Sequence, residues 1–219
     1  MKTTKKITIS DIQKVTLMNP RSIRSEKVVL IGSQGCGKTS IVLRYCKNVF
    51  SGNVGSTVGA AFNSKVVNYA GHQIQLDIWD TAGSEKYRSL APMYYRDARV
   101  AIIVVDITNK DSLSEADDWV KAVREGGRSD CAFVLAANKC DLEEKRQIKN
   151  EEISEFAFSH QIPYYRNTSS LTGEGITELF EAISDTLSKM TPLQSASSEI
   201  DNLLVGSSSN PPPSSGCNC

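Results

Sequence analysis

Long hydrophobic runs, grouped cysteines and an excess of charge of either sign are all missing from this sequence. The longest aliphatic run, Val100–Val105, is far shorter than the roughly 20 residues that a membrane-spanning helix needs. The six cysteines form no C-x-x-C unit and there are only two histidines, which argues against a zinc site or a disulfide framework and favours a reducing compartment. With 25 Lys and Arg against 25 Asp and Glu, no net charge draws the chain to nucleic acid.

Both ends of the 219-residue chain differ in composition from its middle. Residues 1–25 are basic and lack sustained periodicity, so we predict a flexible arm without a targeting signal. Residues 192–219 contain no Lys or Arg and include a Gly-, Ser- and Pro-rich stretch, for which we predict a disordered linker. The middle of the chain, residues 26–191, is long enough to form one compact domain.

The middle of the chain alternates short apolar runs with segments of helical period. The apolar runs are Val28–Ile31, Val100–Val105, Ala132–Ala137 and Ile162–Tyr165. The helical segments are Lys38–Lys47, Ser112–Glu125, Glu151–Ser159 and Ile176–Leu187. This alternation predicts an α/β fold in which helices cover both faces of a parallel sheet. In addition, Val66–Tyr69 and Ile74–Trp79 flank Ala70-Gly71-His72 and predict a hairpin, which makes one edge strand antiparallel.

A glycine-rich loop follows the first predicted strand and opens the first predicted helix. Its sequence is Gly32-Ser33-Gln34-Gly35-Cys36-Gly37-Lys38-Thr39, which matches G-x-x-x-x-G-K-[ST]. Backbone N–H groups of such a loop surround a phosphate, the lysine reaches the terminal phosphates, and the Thr39 hydroxyl can ligate Mg²⁺. A plain turn before a helix is the alternative, but the full octet in this context favours a nucleoside triphosphate site.

The tetrad Asn138-Lys139-Cys140-Asp141 follows the strand that is predicted to end at Ala137. Strand-end loops bind ligands in sheets of this type. A carboxylate here can accept hydrogen bonds from both N1–H and the amino group of guanine, whereas adenine would leave Asp141 unpaired. Alone the tetrad is also an ordinary surface turn, but its position after a phosphate-binding loop indicates a guanine nucleotide.

A third motif, Trp79-Asp80-Thr81-Ala82-Gly83, ends the second strand of the predicted hairpin. Asp80 can hold the coordination shell of Mg²⁺, and Gly83 can bring its backbone N–H to a γ-phosphate. Thr57 lies in the glycine-rich segment Ser51–Gly59 and can add a second hydroxyl to the metal when γ-phosphate is present. The spacing therefore predicts that Ser51–Gly59, called the switch segment below, responds to the bound nucleotide.

These motifs resemble those of Ras-superfamily small GTPases, and within them the Rab family, most closely its early-endosomal branch. The resemblance spans about Glu26 to Met190 and includes Thr57–Phe62 and Trp79–Tyr95 almost residue for residue. It implies a P-loop NTPase G domain with a six-stranded, mostly parallel sheet, one antiparallel edge strand and about five helices. It also implies GTP and GDP as ligands, Mg²⁺ as cofactor, GTP hydrolysis, and a role in vesicle and endosomal traffic.

The resemblance also carries the family's functional positions onto this sequence. The implied catalytic positions are Lys38, Thr57, Gly83 and Ser84, and the implied metal ligands are Thr39, Thr57 and Asp80. The implied effector-binding aromatics are Phe62, Trp79 and Tyr94. The implied nucleotide contacts are Ser33, Gln34, Gly35, Cys36, Gly37, Lys38, Thr39, Ser40, Phe50, Thr57, Gly83, Asn138, Lys139, Asp141, Ser169, Ser170 and Leu171. A core role is the alternative for Phe50 and for the three aromatics.

The family resemblance further implies partners and a location. The partners are effectors, an exchange factor, a GTPase-activating protein, a prenylation escort and a GDP-dissociation inhibitor, all acting on a monomer that binds no nucleic acid. Cys217-Asn218-Cys219 matches the Cys-x-Cys ending that Rab proteins use for two prenyl groups, and one lipid chain alone gives only marginal anchoring. We therefore expect a lipid-anchored protein on the cytosolic face of endosomal or vesicular membranes, with a cytosolic pool.

Three positions depart from the family pattern. Ser84 replaces the glutamine that orients the attacking water, and Gln34 replaces a small residue of the phosphate-binding loop, so both changes oppose hydrolysis. Leu171 stands where the family has a lysine and can cover the guanine ring in its place. The hypothesis is slow intrinsic hydrolysis, which a partner that supplies a glutamine would rescue. The alternative is a GTP-locked effector-binding module. A P-loop kinase is disfavoured because no second-substrate site is evident.

Overall fold

A six-stranded sheet forms the centre of the computed structural model, which describes residues 23–52 and 55–191. The strands are β1 (Arg24–Ile31), β2 (Ala60–Tyr69), β3 (His72–Thr81), β4 (Val100–Asp106), β5 (Ala132–Asn138) and β6 (Tyr164–Thr168). They lie side by side in the order β2-β3-β1-β4-β5-β6. Every neighbouring pair is parallel except β2 and β3. This confirms the predicted mostly parallel sheet with one antiparallel edge strand.

The strand sequences match their places in the sheet. All seven residues of β4 are buried, as is the Val28–Ile31 part of β1, because helices cover both faces of these central strands. The edge strand β2 instead alternates between half-buried and exposed side chains. A two-residue turn, Ala70-Gly71, joins β2 to β3, with Tyr69 opposite His72. Both turn residues have positive φ, 48° and 77°, as the twist of a tight hairpin requires.

Five α-helices flank the sheet in the described ranges. They are α1 (Lys38–Lys47), α2 (Ala91–Tyr95), α3 (Asp111–Gly126), α4 (Asn150–Ser159) and α5 (Ile176–Lys189), and two 3₁₀ segments cover Glu85–Leu90 and Cys140–Lys145. The four longer helices coincide with the predicted segments within about two residues, the scatter expected at helix ends. The structure thus confirms the predicted number of helices, and no described helix is both long and apolar enough to cross a bilayer.

One predicted strand begins later than its apolar run suggests. The run Ile162–Tyr165 was assigned from its hydrophobicity, but β6 begins at Tyr164. The N–H of Ile162 donates to the carbonyl of Ala157 and so belongs to the end of α4, and Pro163 has no N–H to offer a neighbouring strand. The side chain of Ile162 is nevertheless buried, so its apolar character reports burial rather than strand conformation.

The topology brings four loops to one edge of the sheet. Strands β1, β3, β5 and β6 point the same way, so the segments that follow their carboxyl ends meet there. Those segments begin at Gly32, Ala82, Lys139 and Ser169. The predicted tails lie outside the described residues, apart from Ile23–Ser25, and so do Cys217 and Cys219. The chain divides after Lys189, and of the second unit the structure describes only Met190 and Thr191.

Candidate active site at the carboxyl edge of the sheet

A cavity of about 480 Å³ opens where these loops meet. The predicted site residues that line it are Gln34, Gly35, Gly37, Lys38, Thr39, Ser40, Phe50, Thr57, Gly83, Ser84, Asn138, Lys139, Asp141, Ser170 and Leu171. Residues separated by more than a hundred positions thus share one wall. Four predicted site residues do not line the cavity: Ser33, Cys36, Asp80 and Ser169. The first two contribute backbone carbonyls to hydrogen bonds behind the cavity wall, and the last two contribute side chains there.

The phosphate-binding loop is wound around its own lysine. Lys38 is buried, and its Nζ donates to the carbonyls of Gly32 and Ser33 at 2.8 and 2.7 Å. Gly37 has φ of 99°, and a Cβ there would lie 2.2 Å from Nδ2 of Asn138. The Lys38 ammonium group and the close approach of Gly37 to Asn138 therefore fix the course of this loop, a glycine-rich turn of the kind that binds phosphate.

Three oxygen-bearing side chains form a site suited to a hard cation. The Thr39 and Thr57 hydroxyls lie 2.9 Å apart, and Asp80 is 1% exposed, with neither carboxylate oxygen hydrogen-bonded to a residue that the structure describes. Burial raises the pKa of the Asp80 carboxyl, and the neighbouring Thr39 hydroxyl and Lys38 ammonium only partly offset this. A buried, unpartnered carboxylate beside two hydroxyls matches the oxygen ligands that Mg²⁺ prefers, so these residues fit the metal.

The segment after β3 lies directly against the phosphate-binding loop. A Cβ on Gly83 would come within 2.4 Å of Nζ of Lys38 and 2.6 Å of the backbone N of Gln34. Only glycine permits this approach. The next residue, Ser84, also lines the cavity. The backbone of this segment thus lies where its N–H can contact the terminal phosphate of a nucleotide. The side chain of the next residue, Ser84, is a short hydroxymethyl group.

Asn138 joins the end of the cavity that carries the tetrad Asn138–Asp141 to the glycine-rich loop. Its Nδ2 donates to the Cys36 carbonyl at 2.9 Å, and its Oδ1 accepts from the Ser170 hydroxyl at 3.2 Å. Asp141 accepts a 2.6 Å hydrogen bond from the Ser169 hydroxyl. Asn138 and Ser169 therefore hold loops together, and Asp141 is the carboxylate of the tetrad that faces the cavity.

Two apolar side chains border this end of the cavity. Phe50 is 39% exposed and Leu171 is 49% exposed, so neither belongs to the hydrophobic core. Both line the cavity. Apolar side chains that are half exposed at a cavity wall are available to cover the faces of a flat ring.

Sequence reasoning missed several residues of this site. Ser51, Gly52, Gly55, Ser56, Thr81 and Leu142 also line the cavity. Ser56 and Leu142 adjoin predicted contacts, which was the signal available for them. Arg44 of α1 carried no such signal: its guanidinium donates to the backbone carbonyls of Ser170 at 2.9 Å and Leu171 at 2.7 Å, and so fastens the loop after β6.

An aromatic cluster lies on the surface beside the switch segment. The rings of Phe62 of β2 and Trp79 of β3 meet edge-on, with their centroids 5.5 Å apart. The ring centroids of Trp79 and Tyr94 of α2 are 6.2 Å apart. Phe62 is 55% exposed, whereas the other two pack partly against the core. Because Phe62 and Trp79 are register partners, the hairpin itself sets their contact.

The comparisons with known proteins agree with this geometry. The model of the Ras family matches residues 27–189. The chain belongs to the Ras family. It is 42% identical over 168 residues to Ras-related protein Rab5 of Nicotiana tabacum, with 77% of this chain and 84% of the relative covered. It is 40% identical over 168 residues to Ras-related protein RHN1 of Nicotiana plumbaginifolia, with the same coverage. It is 41% identical over 170 residues to Ras-related protein Rab5A of Oryza sativa subsp. japonica, with 77% and 83% covered.

Membership of the family confirms the predicted activity class. The chain is a Ras-family GTPase of the Rab type, related to the early-endosomal branch, and it binds GTP and GDP with Mg²⁺. It acts as a GTP/GDP switch in endosomal membrane traffic, with effectors, exchange factors, activating proteins and dissociation inhibitors as general partners. The relatives give no support to the alternative of a GTP-locked module.

Proposed function

We propose that this GTPase hydrolyses bound GTP slowly on its own and depends on a partner protein to accelerate the reaction. The observation that carries the proposal is Ser84, which lines the cavity immediately after Gly83. A glutamine at this place orients the attacking water, and serine is too short to reach that water. A partner that supplies a glutamine in trans would complete the site.

Gln34 supports the same proposal from the opposite wall. Its side chain extends across the cavity edge to Ser56, with Nε2 donating to the hydroxyl at 2.9 Å. This side chain occupies space beside the terminal phosphate that a small residue would leave free. An arginine inserted by an activating protein would have to displace it.

The rest of the machinery favours turnover over a locked state. Lys38 and the backbone N–H of Gly83 can stabilise the negative charge that grows on the transferred phosphate, and Thr57 holds the switch segment over it. Thr39, Thr57 and Asp80 would hold Mg²⁺, which would supply further neutralisation of that charge. Asp141 reads guanine, and Phe50 and Leu171 cover the ring. Only the water-orienting group is missing from this set.

Replacing Ser84 with glutamine tests the proposal. We expect Ser84→Gln to raise the intrinsic single-turnover rate of GTP hydrolysis at least tenfold, because the longer amide reaches the attacking water (~10-fold corresponds to about 1.4 kcal/mol of barrier). The measurement is phosphate release from GTP-loaded, Mg²⁺-containing protein without any partner.

Ser84→Asn is the matched control, since it adds an amide that is one methylene too short. An intrinsic rate that stays unchanged in Ser84→Gln, or that rises equally in Ser84→Asn, would mean that the missing glutamine does not limit hydrolysis. The proposal would then be wrong.

We propose that effectors bind the surface formed by the aromatic cluster. Phe62, Trp79 and Tyr94 adjoin the switch segment, and the Tyr94 hydroxyl lies 3.2 Å from the position that a Cβ on Gly59 would take. Exposed aromatics anchor protein interfaces, and Tyr94 of this cluster adjoins Gly59, the last residue of the segment that carries Thr57. A change in that segment therefore alters the surface that an effector reads.

Two prenyl groups on Cys217 and Cys219 provide the membrane anchor in this proposal. The C-terminal segment has no basic residues to assist binding, so a single lipid would be insufficient. We expect Cys217→Ser together with Cys219→Ser to move the protein entirely into the soluble fraction of cells, while GTP binding is unchanged. Cys131→Ser, which alters a cysteine of the folded domain, is the control. Persistent membrane association of the double variant would contradict the lipid anchor.

A further inference from the structure

A side-chain hydrogen bond joins the phosphate-binding loop to the switch segment. Nε2 of Gln34 donates to the hydroxyl of Ser56 at 2.9 Å. Both residues line the cavity, one on the loop after β1 and one on the segment before β2. The bond therefore crosses the edge of the cavity and connects two of its walls through residues that are 22 positions apart in the chain.

This bond holds the switch segment directly beside Thr57, a predicted metal ligand. Ser56 immediately precedes Thr57, whose hydroxyl meets that of Thr39 at 2.9 Å. Gly55 and Gly59 flank Ser56 and Thr57, and glycine leaves the backbone free to adopt several conformations on both sides of them. At the far end of the segment the Gly59 carbonyl accepts from the N–H of Ala82 at 2.8 Å. The Gln34 bond thus holds the segment at Ser56, in addition to the backbone hydrogen bond at Gly59.

We propose that Gln34 and Ser56 form a clasp that holds residues 55–59 of the switch segment over the bound nucleotide and slows nucleotide release. The inference rests on the proposed function, because it takes the cavity as the guanine nucleotide site. It assigns Gln34 a second effect: its bulk opposes hydrolysis, and its hydrogen bond opposes release. Gln34 and Ser56 are positioning residues here, since they act on the nucleotide through the segment that carries Thr57.

The clasp follows from the residue types at both positions. A small residue at position 34 could not reach across the cavity edge, and alanine at position 56 would offer no hydroxyl to accept the bond. The bond is exposed to solvent, so its effect is modest. We expect its loss to accelerate nucleotide release by about three- to tenfold, the range that one such hydrogen bond supports.

Release of a fluorescent, non-hydrolysable GTP analogue tests the clasp, because the γ-phosphate keeps Thr57 and the segment around it at the metal site. The full-length protein is loaded with the analogue and Mg²⁺, and the loss of fluorescence is followed after addition of excess unlabelled GDP. Gln34→Met keeps the length and bulk of the side chain but removes the amide, and Ser56→Ala removes the hydroxyl. Each is expected to release the analogue about three to ten times faster than the original protein. The double variant is expected to be no faster than the faster single variant, because both remove one bond.

Matched controls come from the exposed edge of the sheet. Gln73→Met and Ser64→Ala change the same residue types on β3 and β2, away from the cavity, and should leave release unchanged. Release from Gln34→Met at the original rate, or additive effects in the double variant, would overturn the clasp. Because the analogue cannot be hydrolysed, these rates do not depend on the Ser84 proposal. Failure to retain the analogue at all would overturn the nucleotide site itself.

Discussion

Replacing Asp141 with alanine is expected to weaken binding of GTP and GDP by about 10²–10⁴-fold. The carboxylate offers acceptors for two N–H groups of guanine, and hydrogen bonds to a charged acceptor contribute about 1.5–3 kcal/mol each. Asp141 lines the cavity, and the hydrogen bond from the Ser169 hydroxyl at 2.6 Å orients its carboxylate. Equilibrium titration with GDP measures the loss.

Glu143→Ala is the control for this prediction. Glu143 lies on the same 3₁₀ segment, but its carboxylate is exposed and pairs with Arg146 at 2.7 Å. Its replacement should leave GDP affinity within about twofold, as expected for a surface ion pair. The guanine assignment also predicts that Asp141→Ala narrows the preference for GDP over ADP. Unchanged GDP affinity, or an unchanged preference, would show that another group reads the base.

Gly37→Ala is expected to disrupt both the phosphate-binding loop and its contact with Asn138. The new Cβ would lie 2.2 Å from Nδ2 of Asn138, the group that donates to the Cys36 carbonyl, and φ at this position is 99°. Backbone strain and displacement of Asn138 together cost about 2–4 kcal/mol, which lowers the melting temperature by about 5–15 °C. GDP affinity should fall at least 100-fold, because the loops at both ends of the nucleotide move apart (~2.7 kcal/mol).

The neighbouring glycine separates steric contact from backbone strain. Gly35 also has positive φ, 79°, but a Cβ there meets nothing within 4 Å. Gly35→Ala should therefore lower the melting temperature by only about 2–4 °C, the effect of roughly 1 kcal/mol of strain. Thermal unfolding of both GDP-loaded variants makes the comparison. Equal losses would mean that the contact between Gly37 and Asn138 has no structural importance.

The parts of the fold that were predictable from sequence have strong local signals. Helix α1 covers Lys38–Lys47 as predicted because the glycine loop ends at Gly37 and helix-forming residues follow. The fully apolar β4 was equally clear. Strand β2, by contrast, was predicted from Val66, but it begins at Ala60. Residues 60–64 lack apolar alternation, and their strand conformation comes from pairing with β3, which no local pattern reveals.

The candidate site likewise combines features that the sequence predicts with contacts that it does not reveal. Its motifs lie at strand ends, where a parallel sheet gathers ligand-binding loops, so their meeting in one cavity could be anticipated. Arg44 could not be, because its contacts with Ser170 and Leu171 span 126 and 127 residues of chain. The bond between Gln34 and Ser56 was missed for a related reason. Both residues were visible, but their contact depends on how the switch segment folds over the loop.

The most direct test of the proposed function is single-turnover GTP hydrolysis by the purified, Mg²⁺-loaded protein, alone and with a panel of Rab-activating domains. We expect bound GTP to be cleaved slowly by the protein alone and rapidly once a domain that supplies a glutamine is added. Rapid cleavage without a partner would contradict the role assigned to Ser84 and Gln34. Bound GTP that survives every activating domain would contradict turnover and restore the GTP-locked alternative.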